Sequence, residues 1–149
     1  MKNKITGLSL LAILFSITTF ATNIKDDIDR KVFNSFTNQF TDARDVSWKK
    51  TSTYLKATFK VNEQVMFAYF APTGELLGVS RNILSTQLPI NLQRQLKKHY
   101  SKGWITELSE LANEQESNYY VTIENADQVL TLKSEGSNSW SVYKKTKKE

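Results

Sequence analysis

The 149-residue chain has no cysteine, a single histidine, two prolines and five glycines. Without cysteine there is no disulfide, no thiolate chemistry and no thiol to carry a lipoprotein anchor. One histidine and no cysteine argue against a transition-metal site. Five isolated glycines cannot build a phosphate loop or a dinucleotide fingerprint. The serines are plentiful, but none sits in a nucleophile-elbow motif. His99, in "KKHY", fits a helix C-terminus, where the dipole favours a cation. Glu107, Glu110, Glu114 and Glu116 crowd one strand-like run and its turn. Paired carboxylates do acid–base work when they face a cleft, but these read better as a solvated edge that resists strand-to-strand aggregation. No catalytic residue, cofactor or metal ligand is expected, and the chain reads as a non-enzyme.

What is present begins with a leader. Lys2 and Lys4 precede the apolar run "LSLLAILFSITTF", and Thr19 and Ala21 supply small residues for cleavage, the pattern of a secretory signal peptide over residues 1–21. The run is shorter than the roughly 20 apolar residues a spanning helix needs. The expected product, residues 22–149, is one exported domain, periplasmic or secreted and bacterial, with no stable membrane insertion after cleavage. The formal charge of +5 includes Lys2 and Lys4. Much of the remaining excess lies in the terminal "KKTKKE", which reads as a solvated end rather than a nucleic-acid site.

Ile28, Val32, Phe36 and Phe40 recur every four residues with Phe33 beside them, one face of an amphipathic helix. Asp26, Asp27 and Asp29 suit its first turn. Period two follows in "DVSWKK", "YLKATFKV", "VMFAYFA" and "ELLGVSRNI", four strands punctuated by "NEQ" and "PTG". A second helix carries Ile90, Leu92, Leu96 and Tyr100, with Ser85 or Thr86 as cap, Pro89 in its first turn and Gly103 as its end. Four more strands are expected in "WITELSEL", "NYYVTIEN", "QVLTLKSE" and "SWSVYKK". "TFKVNEQVM" and "TIENADQVL" match at an offset of 64, which suggests pseudo-repeats of about 24–84 and 85–149.

With "VSWKK", "YLKATFKVNEQVMFAYFAPTGELLG", "LPINLQRQLKKHY" and "YYVTIENADQVLTLKSEG" in view, the chain resembles the beta-lactamase-inhibitor-like, PepSY-like domain family of exported bacterial proteins. The resemblance spans nearly all of residues 22–149. It implies an α+β fold: a single antiparallel sheet from two helix-plus-four-strand repeats, with the helices packed on one face. It supplies no catalytic residue.

A sheet covered by helices on one side has one bare face. The offset of 64 maps Leu130 and Leu132, an inward pair, onto Met66 and Ala68. Val65, Phe67 and Tyr69 then share the outer face with Tyr54, Lys56 and Lys60. Tyr120 and Tyr143 extend this face in the second half. Aromatic rings flanked by cations suit a protein-binding surface, so the expected function is binding of a protein or peptide through the uncovered face. A three-residue "NEQ" turn would reverse the parity and send Phe67 and Tyr69 into the core. A small-ligand or envelope carrier, with a pocket between helix and sheet, is the alternative.

Overall fold

In a computed structural model, which describes residues 28–148, the two period-four segments become helices and the eight period-two segments become strands. The signal-peptide reading of residues 1–21, and with it Asp26 and Asp27, lies outside the described residues. Helix α1 spans Arg30–Gln39, and Asp29 caps it by accepting the Lys31 N–H at 2.8 Å. That side chain satisfies one of the amides a helix start leaves unpaired.

A meander follows: β1 (Arg44–Lys50), β2 (Leu55–Val61), β3 (Gln64–Phe70) and β4 (Leu76–Asn82). The second unit runs α2 (Ile90–His99), β5 (Trp104–Ala112), β6 (Ser117–Glu124), β7 (Gln128–Glu135) and β8 (Ser139–Lys147). All eight strands form one antiparallel sheet in sequence order. This is the α+β architecture expected, two helix-plus-four-strand units in one sheet.

The "NEQ" turn holds only two residues between paired Val61 and Gln64. Asn62 and Glu63 both have positive φ, at 48° and 63°, the left-handed pair that matches the twist of a two-residue hairpin. An even loop preserves parity, so Met66, Ala68 and Phe70 face inward opposite Phe59, Ala57 and Leu55. The equivalent hairpin of the second unit pairs Ile123 with Leu130 and Val121 with Leu132, the same register 64 residues on.

Each helix covers the inner face of its own unit. Under α1, the buried Val32 and Phe36 meet Trp48, Leu55, Ala57, Phe59, Ala68 and Phe70. Under α2, Leu92 and Leu96 meet Leu108, Val121, Ile123, Leu130 and Leu132. Three details of the second helix differ from expectation. Ser85–Gln87 forms a separate 3-10 turn and Pro89 is the N-cap, so neither Ser85 nor Thr86 caps α2. Ile90 is largely exposed, because Leu88, just before the helix, fills the inward position at that level. Nor does Gly103 end the helix, which stops at His99 with Tyr100 as its C-cap; Gly103 stands at the entry to β5 instead. A Cβ there would lie 2.5 Å from Ile123 Cγ2, so only glycine lets the chain enter β5 this close to β6.

Candidate functional site

The face without helices curls into a trough. Lys56 on β2 and Glu107 on β5 stand three strands and six residue rows apart, about 25 Å on a flat sheet at ordinary spacings. Yet Tyr69 and Tyr120 are buried on this helix-free face, and the charges of Lys56 and Glu107 are close enough to act on one another, as in a sheet folded toward this side. Register shifts in four strand pairs bend and overtwist the strands in the way bulges do.

All seven candidate residues belong to this face, but they do not form the flat, exposed aromatic patch expected. Tyr69 is only 1% exposed, Tyr120 6% and Tyr54 9%. Their neighbours on the trough floor cover them. Tyr54 lies edge-on to Tyr69 at 5.9 Å, and Tyr143 lies edge-on to Tyr120 at 6.1 Å. Lys56 reaches over Phe67 at 4.2 Å and Tyr69 at 5.8 Å, while Lys133 reaches over Tyr120 at 6.0 Å. The half-buried lysines and Phe67, together with exposed Tyr143, are therefore what a partner would touch. Lys60 is set apart, tied to Asp45 at 2.9 Å beside the β1 bulge.

The electrostatics follow from burial. Withdrawal from water lowers the Lys56 pKa, the neighbouring Lys49 lowers it further, and Glu107 opposes both. Burial pushes Glu107 up, and Lys56 pulls it back. Burial also raises Tyr69 despite its contact with the Ser80 hydroxyl at 3.3 Å. The Tyr120 phenol is pushed up to about 12, mainly by burial and then by Tyr143 and Glu116. The buried phenols of Tyr69 and Tyr120 are thus held in their neutral form.

The four glutamates do not converge. Glu107 faces the trough, whereas Glu110 lies on the helix side against Arg81 at 2.9 Å. Glu114 stands exposed in the β5–β6 turn, and Glu116 accepts from the Asn118 amide at 2.8 Å. Nor is β5 an edge, since it pairs with both β4 and β6. The solvated-edge reading of Glu107 and Glu110 is therefore corrected. The true edges are β1 and β8, and the lysines of "KKTKKE" extend along β8, where cations discourage further strand pairing. His99 is exposed at the end of α2 beside Tyr100. Among the described residues no three His, Cys, Asp or Glu side chains are placed to hold a metal ion.

The middle of the helix–sheet interface is core, with Val32 and Leu92 fully buried. Two open clefts lie instead at the C-terminal ends of the helices. One of ≈ 300 Å³ is lined by Phe33, Phe36, Phe40, Ala43 and Trp48, among others. The other, ≈ 310 Å³, has Gln93, Leu96, Tyr100, Gly103 and Ile105. Most of the first set recur in the second at an offset of 60, so the clefts are equivalent features of the two units.

Sequence reasoning missed Trp104, which is 56% exposed. It pairs with Glu124 at the start of β5, and Lys148 bridges to that glutamate and lies 5.7 Å from the Trp104 ring. An aromatic at the head of a strand, with no apolar neighbour two residues on, was the available signal.

No protein-family model matches the chain, and no curated protein matches it in sequence. Solved structures do match in shape. A putative periplasmic protein from Bacteroides eggerthii superposes with a TM-score of 0.70 at 12% identity, over 80% of this chain and 88% of that one. A DUF2874 family protein from Bacteroides uniformis gives 0.70 at 13% identity, over 80% and 88%. A BLIP-like protein from Bacteroides fragilis gives 0.65 at 14% identity, over 80% and 85%. The chain therefore has the BLIP-like fold, an open eight-stranded antiparallel sheet backed by two helices.

Proposed function

We propose that this chain is an exported, non-catalytic binding module, inhibitor-like in kind, that engages a protein or peptide through the trough. The observation that carries this reading is the lysine-capped aromatic floor of the uncovered face. Lys56 and Phe67 there are half-buried by each other and still reachable from solvent. A reachable aromatic ring beside cations on an uncovered sheet face is a surface that a partner can bury. The leader-like N-terminus, together with a structural neighbour described as periplasmic, supports export to the periplasm. The carrier alternative rests on the two clefts, each of which opens between a helix and the sheet near the helix C-terminus.

A crosslinking pull-down from periplasmic extract of the native host tests the proposal. The parent and Phe67→Ser serve as baits, each checked for native circular dichroism. Tyr69 is left intact because it is buried. Capture by the parent and at least tenfold less by folded Phe67→Ser is expected. Equal capture by both would remove the trough as the site.

A further inference from the structure

The two halves of the trough carry the same construction. In the first, buried Tyr69 has Tyr54 edge-on and Lys56 overhead. In the second, buried Tyr120 has Tyr143 edge-on and Lys133 overhead. The cross-strand pairs are Lys56↔Tyr69 and Tyr120↔Lys133, which are the same positions 64 residues apart with cation and ring exchanged. The exchange leaves a similar product, a tyrosine pair with a lysine reaching over it, although Lys56 also lies over Phe67 at 4.2 Å and the second half has Thr131 at that position.

Among the described residues neither Lys56 nor Lys133 has a carboxylate within salt-bridge distance. Lys56 also stands directly opposite Lys49 on β1. Like charges facing each other across a strand pair are destabilising, so this end of the trough keeps an unneutralised positive charge at a cost in stability. The nearest counter-charge, Glu107, acts across the trough without forming an ion pair.

We propose that the two lysine–tyrosine cradles each take a carboxylate of one acidic, extended segment of a partner protein. This rests on the trough being the binding face and names the chemistry that it recognises. The ammonium supplies charge and a hydrogen bond, and the rings below hold its stem in place. The cradles lie three strands and four residue rows apart, about 20 Å on a flat sheet and closer on this curled one. A single segment therefore engages both, and the second contact forms at high effective concentration.

The test uses the full chain and fluorescein-labelled 11-residue Ser/Thr peptides. These carry two glutamates spaced by two, four or six residues, one glutamate, or glutamine at both positions, and binding is read by anisotropy in 20 mM and 300 mM salt. At least one two-glutamate peptide should bind fivefold or more tighter than the one-glutamate peptide, and the glutamine peptide should bind weakest. Lys56→Met and Lys133→Met keep the stem over the ring and should each weaken binding about fivefold; Glu107→Gln should strengthen it. High salt should abolish the differences. Indifference to glutamate, or to both lysine variants, overturns the proposal. If the pull-down still loses its partner with Phe67→Ser but keeps it with the folded Lys56→Met/Lys133→Met double variant, the trough stands and the acidic partner falls.

Discussion

Tyr120 shows most directly what the trough does to a single group. Burial holds its phenol near 12, against an ordinary value near 10. The folded protein therefore keeps this proton where the unfolded chain has released it. The sign of the linkage follows: Tyr120 adds no pH dependence below about pH 10, and stability falls as pH rises through the window to about 12. Tyr120→Phe keeps the ring against Tyr143 and under Lys133 while removing the proton. Urea midpoints measured from pH 9 to 12 should decline less steeply for Tyr120→Phe than for the parent. Parallel declines would mean that the phenol is as well hydrated in the folded state as in the unfolded chain.

At the level of helices and strands, Phe36 holds the first unit together. Its ring meets Phe59 at 5.1 Å, Trp48 at 5.2 Å and Phe40 at 5.3 Å, spanning α1, β1 and β2. Truncation removes buried area and leaves a cavity among rings that cannot all collapse, so Phe36→Ala should cost about 3–5 kcal/mol in denaturant unfolding. A loss under about 1 kcal/mol would show that α1 is not docked as described. Phe36 was legible in advance because helix periodicity and strand alternation are local properties, and the inward set of β2 follows from them. The parity of Phe67 and Tyr69 was less so. It hangs on whether Asn62-Glu63 or a third residue makes the turn, and Glu63 is an uncommon choice for positive φ. Exposure was not legible at all. Tyr69 and Tyr120 sit on the predicted face yet are buried, because curl is a property of the whole sheet and lysine stems cover rings only once strands are in register. Glu107 and Glu110 were misplaced for the same reason: strand order, which makes β5 central, is not written in β5.

The whole molecule is two units joined at one strand pair, and that joint has the shortest register in the sheet, so it is expected to open first. β4 and β5 share four register pairs, Val79↔Ala112 to Asn82↔Ser109, whereas β5 and β6 share eight. The two helices and the two buried clusters lie on opposite sides of this seam, so little apolar burial crosses it. The Arg81–Glu110 pair does cross it, directly between the strands at 2.9 Å. Glu110 is mostly buried, with 17% of its side chain exposed, so losing the guanidinium leaves its carboxylate only partly compensated, by the neighbouring Tyr119 hydroxyl. Arg81→Met keeps the aliphatic bulk and should cost about 1–3 kcal/mol, the range for leaving a partly buried charge unmatched. The location of the loss matters more than its size. Native-state hydrogen exchange should show the amides bridging β4 and β5, including Ile83 bonded to the Leu108 carbonyl at 3.0 Å, losing protection ahead of those within the β2–β3 and β6–β7 hairpins. Because Lys56 and Lys133 lie on opposite sides of the seam, such opening would also change the spacing of the two cradles. Uniform loss of protection across all eight strands would instead mean that the sheet opens as one unit, and that the trough keeps a single fixed shape.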